Sequence, residues 1–190
     1  KNINFELNKG DHIGIQGISG SGKTTFINLI MGLIKTDFGG VYYNGDEFKN
    51  NIINYYEFIS YVPQDTILFN DTIKNNLTFN DEKINLNKLN NIIKICKLDN
   101  FINNLPLKLE TNVGEKGLKI SGGQKQRIGI ARALYRDFDL LILDEATSSL
   151  NKDYENEILS KIHNLYNDKI IITISHDLNA LRYCNKKFNI

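Results

Sequence analysis

Short, largely apolar runs recur at residues 12–15, 58–62, 139–143 and 169–174, each closed by small, polar or charged residues. Runs this short without alternation are expected of strands covered on both faces. The run at 139–143, which ends in Asp144-Glu145, has the pattern of a central parallel strand. Residues 2–7 behave differently: Asn-Ile-Asn-Phe-Glu-Leu alternates polar with apolar, the period of a half-buried strand, and Lys9-Gly10-Asp11 turns the chain into the next run. Val41-Tyr42-Tyr43 with Asn44-Gly45-Asp46 predicts a strand ending in a turn. Helical patterns fill much of the rest, over residues 26–31, 72–77, 86–96, 99–103, 128–134 and 151–166, with Thr72 and Asp99 placed to cap. Strands alternating with helices predict an α/β fold in a single domain, with a core from residues 1–63 and 138–190 and a helical insertion at 64–137.

Composition narrows the picture. A chain of 190 residues, 41% hydrophobic and 24% charged, can bury a sizeable core. Its formal net charge is +1 and it has no arginine-rich block or basic stripe, which argues against a nucleic-acid partner. Cys96 and Cys184 lie far apart without C-x-x-C spacing and are expected as free thiols in a reducing compartment. No apolar run approaches the ~20 residues of a membrane helix. Residue 1 is a lysine and the start already has a strand pattern, so the chain is expected to be a piece of a longer one.

Candidate chemistry gathers where the apolar runs end. The run at 12–15 leads into Gly17-Ile18-Ser19-Gly20-Ser21-Gly22-Lys23-Thr24-Thr25, and a helix leaves it. Strand, glycine-rich turn and helix start in that order make G-x-x-x-x-G-K-[ST] a phosphate-binding loop. Backbone N–H groups unobstructed by Cβ atoms wrap a polyphosphate, and the helix dipole adds its positive end. Lys23 is expected on the β- and γ-phosphates and the Thr24 hydroxyl on Mg²⁺. Gln64 follows the run at 58–62; judged on position alone it is a surface residue, but beside a phosphate loop its amide can ligate Mg²⁺ and hold the attacking water.

Ser121-Gly122-Gly123-Gln124 repeats the logic of exposed N–H groups and a hydroxyl at a helix start. Alone it is a common way to begin a helix; as a second anion site it allows two copies of the chain to share a nucleotide. Asp144 and Glu145 stand at the strand end where open α/β sheets bind ligands. They are read either as a water-mediated Mg²⁺ holder and a general base, or as carboxylates capping the next helix. His176, just beyond the run at 169–174, can donate to a γ-phosphate. His12 and His163 lack such a setting and are assigned no function.

Taken together, these residues resemble the nucleotide-binding domain of ABC transporters over essentially the whole chain. The matching set is 17–25 as Walker A, Gln64 as the Q-loop, Ser121-Gly122-Gly123-Gln124 as the signature, 140–145 as Walker B, Ser148-Ser149-Leu150-Asn151 as the D-loop and His176 as the switch histidine. The resemblance implies a P-loop NTPase of the ABC ATPase fold: a RecA-like core, a small antiparallel β element and an inserted helical subdomain, truncated here at both ends. It implies ATP and Mg²⁺ as ligands. Gly17, Ser19, Gly20, Ser21, Gly22, Lys23, Thr24 and Thr25 then surround the phosphates. Thr24, Gln64 and Asp144 hold the metal, and Glu145, His176, Gln64 and Lys23 are catalytic. Ser121 and Gly123, in a motif completed by Gly122 and Gln124, touch the γ-phosphate bound by a second nucleotide-binding domain.

Residues 62–72, 111–117 and 114–134 further resemble exporters of the multidrug, mitochondrial and lipid-linked oligosaccharide types. The implied function is ATP hydrolysis that powers transport, with transmembrane domains of the same or a partner chain holding this one at a membrane on its cytosolic or matrix side. Two other functions are a soluble ABC ATPase acting on DNA or ribosomes, disfavoured by the neutral charge and exporter-like loop, and a nucleotide-dependent dimerisation module without turnover. Ile120 stands for the usual signature leucine and Asn151 for the D-loop aspartate. The aromatic residue that stacks on adenine is expected before residue 1, Phe5 being too close to the loop, and further strands and a helix are expected after Ile190.

Overall fold

The apolar runs become parallel strands of one sheet. The computed structural model describes residues 4–18, 20–47 and 56–190. Strand β1 (His12–Gln16) is followed by helix α1 (Lys23–Ile30), a hairpin of β2 (Tyr42–Tyr43) and β3 (Asp46–Glu47), and β4 (Ile59–Val62). Helices α2 (Ile73–Thr78), α3 (Leu86–Ile95), α4 (Asp99–Asn103) and α5 (Gly122–Tyr135) come next, then β5 (Leu140–Asp144), α6 (Lys152–Leu165), β6 (Ile170–Ile174) and β7 (Lys186–Asn189). The five-stranded sheet runs β4-β5-β6-β1-β7 with every neighbouring pair parallel. The C-terminal ends of its strands therefore share one edge, and the segments bearing residues 17–25, Gln64, Asp144-Glu145 and His176 leave from it, whereas Ser121–Gln124 opens α5. The antiparallel β2–β3 pair is the small β element expected.

Successive side chains of a strand face opposite ways, and here both faces are covered. Ile13, Ile15, Leu140, Ile142, Ile172 and Ile174 pack with Phe26, Ile27 and Met31 of α1 and the residue after it. Val62, Leu141, Leu143 and Ile171 face the other side, where Ile128, Ile130 and Leu134 of α5 and Ile158, Leu159 and Ile162 of α6 meet them. That second cluster continues without a break to Leu77, Leu89 and Ile93, so the helices between β4 and β5 share a core with the sheet. Each of these buried aliphatic side chains contributes roughly 1.5–3 kcal/mol.

The capping residues differ in part from expectation. Thr72 caps α2, its hydroxyl accepting from the Asn75 N–H at 3.1 Å. Asp99 does not cap α4: Leu98 holds that position and Asp99 stands in the first turn, where its charge complements the dipole. Asn85 and Asn151, not foreseen as caps, accept from Lys88 and Tyr154 at the starts of α3 and α6. Residues 4–8 form no strand. Their burial alternates, Phe5 and Leu7 half-buried between exposed neighbours, so the sequence period records packing rather than a ladder; residues 1–3 of that stretch lie outside the described residues. Both cysteines are free.

Candidate functional site

α1 starts at a loop that leaves its N–H groups open. Gly22 takes the N-cap position at φ 106°, and no side chain caps the helix, so its first N–H groups have no partner inside it. Gly20 and Gly22 have positive φ and open space where a Cβ would stand, which is a cradle for an anion. Gly17 is required by crowding instead: a Cβ there would lie 2.5 Å from Ser21 Oγ and 2.6 Å from the Ile190 carbonyl. Ser21 Oγ is buried without a hydrogen-bond partner among the described residues. Lys23 Nζ donates to the carbonyls of Gly17 and Ile18 at 2.6 and 3.0 Å, which ties the ammonium to its own loop, while Thr24 and Thr25 are exposed. Ser19 lies outside the described residues.

Two strands from β1 is β5, and its end is held from both sides. The Asp144 Oδ2 accepts from the Tyr61 hydroxyl of β4 at 3.1 Å. Burial, the largest influence, raises the Asp144 carboxyl above its ordinary value against the pull of Tyr61; the Glu145 charge adds to the rise and Lys23 opposes it. Glu145 follows at φ 47°, a left-handed backbone that costs a non-glycine residue of order 1–3 kcal/mol. Its N–H donates to the Ile174 carbonyl at 3.0 Å, and its Oε1 lies 2.8 Å from His176 Nε2. The carboxylate is 17% exposed and the imidazole 53%. Sequence spacing of 31 positions thus becomes a direct contact because β5 and β6 are neighbours in register. The alternative of two helix-capping carboxylates is not what forms, since the cap of α6 is Asn151.

Ser121 opens α5 through a capping box, its Oγ accepting from the Gln124 N–H at 3.3 Å while Gln124 Oε1 accepts from the Ser121 N–H at 3.0 Å. Gly122 and Gly123 lie against Ser149, and a Cβ on Gly123 would stand 3.1 Å from the Ser149 carbonyl oxygen. Gln64 is exposed, and its backbone carbonyl accepts from Gln126 Nε2 at 3.4 Å. Two contributors escape the sequence pattern, Tyr61 and Gln126. Tyr61 carries a weak signal as the exposed position of an otherwise buried β4, opposite Ile142 and two residues short of Asp144 in register. Phe5 stands edge-on to Phe26 and Phe188 as part of the core.

The hydroxyl, amide and carboxylate oxygens of Thr24, Gln64 and Asp144 suit a hard cation. Among the described residues no three His, Cys, Asp or Glu side chains converge as a metal cage. Mg²⁺ is generally bound by one or two carboxylates together with substrate phosphates rather than by an all-protein shell.

Fold and loop define a P-loop nucleotide-binding domain. The sequence model of the ABC transporter family matches residues 1–148, and the chain belongs to that family. Among its relatives, a Rickettsia typhi protein provisionally named an export ATP-binding/permease is 40% identical over 181 residues, covering 95% of this chain and 31% of its own length. An ATP-dependent lipid A-core flippase of Syntrophus aciditrophicus is 36% identical over 187 residues, covering 98% of this chain and 31% of its own length. The solved structure of a bacterial Atm1-family ABC exporter with ATP bound superposes with a TM-score of 0.90 at 32% identity, over 98% of this chain and 33% of that one. The chain thus spans about a third of the length of the relatives it matches.

Proposed function

We propose that the chain is the ATP-hydrolysing nucleotide-binding domain of an ABC exporter, acting on MgATP at the sheet edge where β1, β5 and β6 end. The observation that carries this reading is the Glu145–His176 contact of 2.8 Å on the same edge as the glycine cradle and Lys23. The loop N–H groups and the Lys23 ammonium bind and orient the β- and γ-phosphates. Glu145, held by His176 and by its strained backbone, accepts the proton of the attacking water. His176 keeps the carboxylate aimed and has a half-exposed ring from which to meet the γ-phosphate. Thr24, Gln64 and Asp144 would hold Mg²⁺, which would supply positive charge to the phosphate oxygens. Ser121 and Gly123 serve the nucleotide of a second nucleotide-binding domain. Among the described residues no helix is long and apolar enough to cross a membrane. Transmembrane domains of the same or a partner chain anchor this one, with residues 111–117 toward them.

Glu145→Gln keeps the shape and removes the base. It is expected to slow ATP hydrolysis by roughly 10²–10⁴-fold with ATP affinity preserved, measured as phosphate release and equilibrium nucleotide binding. Unchanged turnover would remove Glu145 from the mechanism.

A further inference from the structure

Gln126 is buried at 3% exposure in the second turn of α5, and none of the chemistry above uses it. Its carboxamide is nonetheless almost fully engaged. Oε1 accepts from the Ser149 N–H at 2.8 Å, and Nε2 donates to the Ser148 hydroxyl at 3.1 Å and to the Gln64 carbonyl at 3.4 Å. A side-chain amide offers two N–H donors and one carbonyl oxygen, so both donors and the acceptor are used. Those partners belong to two segments, one after β4 and one after β5, lying 62 and 22–23 residues from Gln126 in the chain.

The packing around Gln126 strengthens the connection. One turn further along the same face of α5, Gly129 lets Thr66 approach so closely that a Cβ would stand 2.5 Å from Thr66 Oγ1. One turn earlier, Gly123 admits the Ser149 carbonyl. The segment bearing Gln64 and the turn at 148–149 therefore ride on one helix face, and Gln126 is the only one of these three α5 positions with a side chain that bonds both.

We propose that Gln126 is a positioning residue that makes the placement of the Gln64 segment depend on the placement of the Ser148-Ser149 turn. A shift of Gln64 as its amide engages the site pulls its own carbonyl, and the carboxamide passes that displacement to the Ser149 N–H. This rests on the reading of the site as an ATPase.

Replacement by glutamate separates the two halves of the link. A carboxylate still accepts from the Ser149 N–H and from the Ser148 hydroxyl, but it cannot donate to the Gln64 carbonyl and repels it. Replacement by methionine keeps the reach and volume and removes all three bonds. The test is a double-mutant cycle in the full-length protein, reading kcat and KM for ATP in wild type, Gln126→Glu, Gln126→Met, Gln64→Ala and the combinations with Gln64→Ala. The expected result is a fall in kcat of about tenfold or more for either Gln126 variant, with KM within about twofold. In the Gln64→Ala background the same substitutions should lower kcat by less than about twofold, because coupled residues are not additive. Equal losses in both backgrounds, a kcat unchanged by either variant, or loss of folding by both as judged by thermal unfolding would overturn the proposal in favour of a purely structural amide. Wild type without ATP turnover, or Glu145→Gln with full turnover, would instead strike the ATPase reading itself.

Discussion

At the level of single residues, the two histidines without a place in the chemistry form a buried pair of their own. His12 and His163 meet through their Nδ1 atoms at 2.9 Å, and His12 Nε2 lies 3.3 Å from the Tyr166 carbonyl. A carbonyl only accepts, so His12 carries its proton on Nε2, its Nδ1 accepts, and His163 donates from Nδ1. His163 Nε2 is then a bare lone pair, buried without a partner among the described residues. The groups around the pair are the Tyr183 ring stacked on His163 and, beside His12, Asp11 with its Lys186 partner. Burial first and the neighbouring His12 second push the His163 imidazole down to about 4. An ordinary histidine in the unfolded chain titrates near 6.5. Above that value both states are neutral at this position and stability is unaffected; as pH falls toward 4 the unfolded chain takes the proton and the fold does not, so stability is lost. The loss between pH 7.5 and pH 4.5 from this group is about 2–3 kcal/mol. Urea unfolding across that range should show it, and His163→Phe, which keeps the ring stack and removes the titration, should flatten the profile relative to wild type.

At the level of elements, α5 is the piece on which the others are set, and Gly129 is its tightest point. In an exposed helix, glycine to alanine gains about 1 kcal/mol. Here the added methyl would stand 2.5 Å from Thr66 Oγ1 and 2.7 Å from its Cγ2, and a β-branched side chain cannot swing away. Overpacking of this kind costs typically about 1–3 kcal/mol, so Gly129→Ala should lower the thermal midpoint rather than raise it. The Thr66 hydroxyl makes no hydrogen bond among the described residues, and in a Thr66→Ala background the penalty should shrink toward the ordinary helix gain. Such contacts mark where the sequence stops being legible. The apolar stretches at 140–143 and 170–174 announce β5 and β6 because both sheet faces are buried, and the loop at 17–25 announces itself because Gly20 and Gly22 take positive φ and Gly17 has no room for a Cβ. By contrast β7, Lys-Lys-Phe-Asn with all four residues exposed, carries no apolar signal and exists because β1 has a free edge for it. Gln126 is silent and Tyr61 nearly so for a related reason: each acts on partners set beside it by sheet order or helix packing, which no local period encodes.

At the level of the whole molecule, the two helix starts suited to anions stand at different places along the sheet edge. The loop at 17–25 follows β1, whereas α5 packs beneath β4 and its start lies against the 148–149 turn that follows β5. Strands β5 and β6 intervene between β4 and β1, so at ~4.8 Å per strand the axes of β4 and β1 are about 14 Å apart. On the proposed reading, a γ-phosphate held by Lys23 is met by Ser121 of a second chain rather than by that of its own. Sharing makes a prediction that a self-contained site does not. Lys23→Ala removes the phosphate ligand of one half-site and Ser121→Arg blocks the other, so each variant alone should assemble only defective pairs and hydrolyse ATP slowly. In a mixed pair, one composite site combines both defects, and the second joins an intact loop from the Ser121→Arg chain to an intact Ser121 from the Lys23→Ala chain. Mixing the two inactive proteins should thus restore hydrolysis, toward a quarter of the wild-type rate if pairs form at random and each intact site turns over independently. Measured as phosphate release against mixing ratio, activity should peak near equal amounts. A flat line at the level of the separate variants would mean that each chain works alone or that one intact site cannot turn over beside a dead one, and a mixed pair carrying Ser121→Arg against wild type, which also retains one intact site, tells those apart.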